Sequence, residues 1–190
     1  MAYGFKPVKM AGSRYDTGGF TEVPIENDTL GTPIYNGGTV LYTIANTTIA
    51  SGISTNDTPI TSALSVGVLV GARWVNSAGE PKWGNYYDGA STNEAASAYA
   101  FVVPLDGVIF QIQGNLAWDT KYIGWECLVT GSGGVTATGN SSLSLLQVTA
   151  DASAGAIVPL GVLENGNETT STPDVLVRFA AAGISLKPLF

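Results

Sequence analysis

Apolar residues in this chain recur with a period of two, in runs too short for helices, and this constrains the fold more than any other feature. In Val108-Ile109-Phe110-Gln111-Ile112-Gln113, the residues Val108, Phe110 and Ile112 fall on one side of an extended backbone. Gln111 and Gln113 fall on the other. Val175, Val177 and Phe179 repeat the pattern with Arg178 opposite, and Val40, Tyr42 and Ile44 share a face in Thr39 to Ile44. A pleated strand buried on one side demands this alternation, whereas a helix demands a repeat near 3.6. Further strands are predicted at Phe20 to Ile25, Val66 to Val75, Tyr99 to Val103, Trp125 to Val129, Ser142 to Val148 and Ile157 to Leu163. Thr92 to Ala98 and Leu116 to Tyr122 allow one or two helical turns each. The expected class is all-β: an antiparallel β-barrel or sandwich with an extended N-terminal arm and at most one or two short helices.

Turn chemistry separates the runs. Tyr35-Asn36-Gly37-Gly38 holds the Asn-Gly pair that favours a tight hairpin. Asn76-Ser77-Ala78-Gly79 is placed to close a hairpin onto Pro81-Lys82-Trp83, and Asp106-Gly107 marks another reversal. No alternating run precedes residue 20, and Pro7 disfavours helix at Lys6. Residues 1–19 are therefore predicted as an extended arm and 20–190 as a single β domain. The arm carries apolar Tyr3, Phe5 and Met10, for which a purely solvated tail has little use. An arm of this kind would be removable without loss of the β fold.

Composition excludes much chemistry. The 190 residues contain no His and one Cys, Cys127. That removes His-ligated metals, Ser-His-Asp and Cys-His catalysis, and any disulfide within one chain. Asp106, Asp119 and Glu126 are the carboxylates worth weighing for acid-only chemistry, but single acids at loop positions are ordinarily turn formers. Cys127 sits in a predicted strand and reads as a small buried hydrophobe. No enzyme activity and no cofactor are expected. The opening residues lack the apolar stretch of a secretory signal, and no run approaches the roughly 18 apolar residues of a membrane span. The expectation is a soluble protein folded in a reducing cytoplasm, with no membrane partner.

Charge is sparse and uneven. Charged residues make up 12% of the chain, and the net charge is −7. Residues 1–15 contribute Lys6, Lys9 and Arg14 and no acid, whereas the remaining 175 residues hold 5 cations and 15 acids, a net −10. An acidic body repels phosphate backbones, so nucleic acid is not an expected partner. A basic arm on such a body suits an acidic protein surface, a neighbouring copy of the same chain included; the plain alternative is a solvated terminus. Tyr3, Phe5, Lys6, Lys9 and Arg14 are the candidate docking residues. A second candidate is the aromatic cluster Trp83-Gly84-Asn85-Tyr86-Tyr87 with Trp74 across the hairpin. Trp74, Trp83, Tyr86 and Tyr87 could serve core packing, a protein interface or a sugar-binding platform.

The order of segments carries a resemblance. Tyr3-Gly4-Phe5-Lys6-Pro7-Val8, then Glu22-Val23-Pro24-Ile25, then Tyr35-Asn36-Gly37-Gly38-Thr39-Val40 resemble the opening of head decoration (cement) proteins of tailed phages of marine and freshwater bacteria. Val66 to Trp74 followed by Gly79 to Tyr86, and Val175-Leu176-Val177-Arg178-Phe179, continue it. The chain departs from the pattern at Gly38, where Asp would fit, and in Ala180-Ala181-Ala182-Gly183. The resemblance implies a capsid decoration protein on the outer surface of the virion, assembled in the host cytoplasm. It implies the major capsid protein as partner and a homo-oligomer, with a trimer favoured. The alternative function is a host-glycan-binding virion appendage or tail-associated module.

Overall fold

The computed structural model describes residues 2–10, 19–25, 33–42, 49–51, 65–89, 98–131, 133–146, 157–163 and 172–180. The fold is all-β, its sheet ladders are antiparallel, and helix among the described residues is confined to one 3-10 turn at Thr120–Tyr122. Thr92 to Ser97, the first predicted helical stretch, lie outside the described residues.

Two main sheets organise the chain. The first has four strands in the order β1 (Lys6–Met10), β8 (Val108–Gln113), β14 (Asp174–Phe179), β13 (Ile157–Leu163). The second has six. Its path is β2 (Thr21–Pro24), β7 (Tyr99–Pro104), β5 (Ser65–Val75), β3 (Thr39–Tyr42), β4 (Ile49–Ser51), and β6 (Pro81–Gly84) also pairs with β5. Two small pairs complete it: β9 (Leu128–Thr130) with β12 (Ser144–Leu146), and β10 (Gly134–Val135) with β11 (Asn140–Ser141).

The alternation read from sequence defines the core-facing positions. Val108, Phe110, Ile112, Val175 and Val177 are buried in one cluster, together with Val68 and Val103 from the six-stranded sheet and Cys127, Val129, Leu143 and Leu145. A second cluster, with Val23, Ile25, Ile34, Leu69, Trp74, Tyr87 and Val102, covers the opposite face of the six-stranded sheet. Val68 and Leu69 are adjacent yet serve different clusters, so β5 is buried on both sides there. A bulge between Leu69 and Gly71 then resets the alternation. It lets Leu69, Ala72 and Trp74 all face the second cluster, which an unbroken period of two forbids.

One turn differs from its predicted role. Asn76 to Gly79 does close the β5–β6 hairpin, with Asn76 Oδ1 accepting from the Ala78 and Glu80 N–H groups. Asn36-Gly37 instead makes a corner. The Gly38 N–H donates to the Tyr35 carbonyl at 3.0 Å and Gly37 has φ 78°, as the third residue of a type II turn requires. The flanking residues pair elsewhere: Ile34 bridges Tyr87, and β3 pairs β4 and β5. Asp106-Gly107 is the turn expected from sequence, with Gly107 at φ 69°, and it carries the chain from one sheet to the other, because β7 and β8 belong to different sheets.

The largest departure concerns the predicted arm. Lys6–Met10 is an edge strand of the four-stranded sheet, and Phe5 is fully buried between the sheets. The Phe5 ring meets Phe110 edge-on at 6.1 Å and Phe179 at 5.1 Å. Its N–H donates to the Gly37 carbonyl at 2.8 Å, while the Gly4 N–H donates to the Leu143 carbonyl. Gly4 has φ +72°, and a Cβ there would lie 2.5 Å from the Gly37 oxygen, so this crossing needs glycine. Residues 4–10 are thus built into the body, and the apolar anchors noted in sequence pack on their own chain.

Two substitutions test this packing. Phe5→Ala is expected to cost about 3–5 kcal/mol, read as a lower urea midpoint with an unchanged slope. Gly67→Ala is expected to destabilise by about 1–3 kcal/mol or more, because its Cβ would lie 2.2 Å from Val102 Cγ1 and 2.4 Å from the Val103 oxygen. Urea denaturation of both variants against wild type measures both effects.

Candidate functional site

The four aromatic residues grouped by sequence are distributed over three places. Trp74 and Tyr87 are buried in the second cluster, meeting edge-on at 5.6 Å. Tyr86 is half-buried and stacks on Tyr35 at 5.8 Å with the rings 7° apart. Both rings rest on the β10–β11 hairpin, where a Cβ at Gly134 would strike Tyr35 and one at Gly139 would strike Tyr86. Trp83 alone reaches the open surface, at 70% exposure.

Trp83 has other companions there. Residues on β5 alternate about the sheet, so Gly71 and Arg73 face away from the second cluster, and Trp83 lies opposite Arg73 in the β5–β6 register. Phe101 is opposite Gly71, and Tyr99 is opposite Arg73. Gly71 puts no side chain on this face, and the Trp83 and Phe101 rings stack across it at 6.0 Å and 25°. Phe20, 59% exposed, leans on the far side of Phe101 at 4.8 Å. The Arg73 guanidinium lies 4.1 Å over the Tyr99 ring and ends in an ion pair with Glu22. The result is an aromatic row in which exposed Phe20 and Trp83 flank half-buried Phe101, bordered by Arg73 and Glu22. The exposed ion pair contributes about 0–1 kcal/mol to stability, and its clearer effect is to hold the Arg73 stem flat.

Phe20 and Phe101 escaped the sequence reading because they are far apart in the chain. Their signal was present: Phe101 occupies a polar-face position of an alternating run whose other face is Ala100 and Val102.

The candidate arm residues separate as well. Phe5 is core, Arg14 lies outside the described residues, and Tyr3, Lys6 and Lys9 line the outer face of the four-stranded sheet. There the Tyr3 hydroxyl donates to the Asp174 carboxylate. The Gln111 amide donates to the Tyr3 oxygen at 3.0 Å and to Asp174 at 2.7 Å. The Lys6 ammonium sits 3.8 Å over the Tyr3 ring. Burial first, then the bond to Asp174 and its negative charge, hold the Tyr3 phenol well above its ordinary range; the Gln111 bond opposes them.

The carboxylates weighed for chemistry are dispersed. Asp106 is an exposed turn residue, and Asp119 accepts from the Lys121 N–H and pairs with its ammonium at 2.7 Å. Among the described residues no three His, Cys, Asp or Glu side chains converge on a metal position. Cys127 is buried in the first core cluster. Comparison with protein-family models, curated proteins and solved structures returns no match.

The Tyr3 shift has a defined sign. The unfolded phenol ionises near pH 10, and the folded one does so at higher pH. Its contribution to stability is therefore complete below about pH 10 and is lost as pH rises above that. The stability difference between wild type and Tyr3→Phe is expected to be constant from pH 7 to about 9. Above about 10 it should shrink, as followed by urea denaturation across that range.

Proposed function

We propose that this chain is a contact protein of a virus particle, a decoration (cement) protein that seats on the outside of a phage head and reinforces the junctions between major capsid subunits. The observation that carries the reading is the aromatic row on one sheet face in which exposed Phe20 and Trp83 flank half-buried Phe101, with Tyr99 and Arg73 beside it. Trp, Tyr and Arg dominate the centres of protein interfaces, since they bury much surface while freezing few torsions. Here that freezing is largely complete before any partner arrives: Trp83 is stacked and Arg73 is pinned by Glu22.

The sheet edges add support. Lys6 and Pro7 with a bulge at Val8 blunt β1, and Pro159 with a bulge at Leu160 blunts β13. Strand addition by a neighbour is disfavoured at both, so faces are left to make contact. The phage resemblance of the N-terminal and central segments supplies the identity of the shell; the physical features supply only adhesion. Repetition over a symmetric shell multiplies modest individual contacts.

A second reading has one observation in its favour. A Trp ring exposed over most of its surface and backed by a parallel aromatic also suits the apolar face of a sugar, as a host-glycan-binding appendage requires.

Trp83→Ala is the deciding substitution, because its exposure leaves the fold little to lose. Co-sedimentation with heads that lack the protein is expected to weaken about 30-fold, the equivalent of about 2 kcal/mol, with an unchanged circular dichroism spectrum. Undiminished co-sedimentation would remove this face from the docking mechanism. Glycan-array binding by wild type, lost in the same variant, would move the assignment to the appendage.

A further inference from the structure

The outer face of the four-stranded sheet is a second surface, and it has the opposite electrical character from the chain that bears it. In the β1–β8–β14–β13 register, Lys9, Ile109, Arg178 and Val158 form one cross-strand row, and Lys6, Gln111 and Leu176 form part of the next. Lys6 and Lys9 are three residues apart and would point to opposite faces of a regular strand. The bulge at Val8 turns both outward. Arg178 is exposed on the same side, while Val175 and Val177 point into the core.

Among the described residues, Arg73, Lys82 and Lys121 are ion-paired with Glu22, Glu80 and Asp119, whereas Lys6, Lys9 and Arg178 are in no ion pair. Among the described residues the one acid on this face is Asp174, engaged by Tyr3 and Gln111. Three cations and one acid make the face +2, and the other 5 cations and 14 acids leave the rest of the chain at −9. The half-buried Ile109, Val158 and Leu176 give the patch an apolar centre between its charges.

We infer that this face docks onto the acidic surface of a second copy of the chain. Charge complementarity selects that occupant: each copy offers a positive face and a strongly negative remainder, so the attraction is between unlike patches. Such a contact is heterologous, and it closes into a ring if the rotation between copies permits. The blunted edges β1 and β13 direct an approaching copy to the face. The inference does not use the Trp83 face, and it stands or falls independently of docking to a shell.

Sedimentation velocity of the full-length chain tests it. In about 0.05 M salt the wild type is expected to self-associate, and in about 0.5 M salt its apparent Kd is expected to rise about tenfold or more as the charges are screened. Lys6→Glu/Lys9→Glu/Arg178→Glu is expected to be monomeric at both salts with an unchanged β spectrum, while Trp83→Ala associates as wild type does. The triple variant keeps the acidic surface, so in a mixture it should still accept the basic face of wild type and cap it. Association indifferent to salt, a triple variant that associates like wild type, or a wild-type chain that stays monomeric and binds heparin instead would each overturn the proposal.

Discussion

Phe5 is the point at which the structure is tied together. It comes five residues into the chain, before any recognisable pattern, and it fills the space where Phe110 and Phe179 of the four-stranded sheet approach the Val68 and Val103 end of the other sheet. A ring of this size, fully removed from water, contributes about 2–3 kcal/mol by transfer alone and more through the cavity its loss would leave. Its backbone is held by Gly37, whose N–H in turn donates to the Leu69 carbonyl. One short segment therefore links the N-terminus, the corner at Asn36-Gly37 and the central strand β5. From Phe5 the chain runs on as β1 along β8, with Lys6 and Lys9 facing outward.

Bulges do much of the remaining work. A sheet residue can serve only one face, and a strand that must feed two cores or reverse its pattern midway needs one extra residue to do so. In β5 that residue is Val70, which allows Trp74 into the second cluster and Arg73 onto the surface. In β1 it is Val8, which brings two lysines to one side. Both outward faces thus depend on local irregularities, and in the four-stranded sheet proline and bulges in β1 and β13 discourage pairing along the edges.

Much of the fold was legible in the sequence. Ile157 to Leu163 matches β13 at both ends, and Val108 to Gln113 matches β8 with its core face correctly assigned, because strict alternation leaves a strand one way to bury itself. The Asn76 to Gly79 hairpin was legible because its partners are adjacent in the chain. The arm was not, since Lys6 to Met10 has no alternation once a bulge interrupts it, and its partner β8 lies about a hundred residues away. The aromatic cluster failed for a related reason. Proximity in sequence grouped Trp74, Trp83, Tyr86 and Tyr87, although neighbouring residues on a strand point to opposite faces and Trp74 and Trp83 sit on opposite sides of their hairpin.

By itself the sequence determined the class: period-two apolar runs punctuated by Gly, Asn and Pro are satisfied by half-buried antiparallel strands, and a chain without His and with one Cys has no His-ligated metal, no His-based triad and no disulfide of its own. Tertiary structure decided which residues meet. It put Phe5 inside, drew Phe20 and Phe101 to Trp83, and set Arg178 beside Lys6 and Lys9. Strand pairing joins residues far apart in the chain, and no local pattern encodes the register in which they meet.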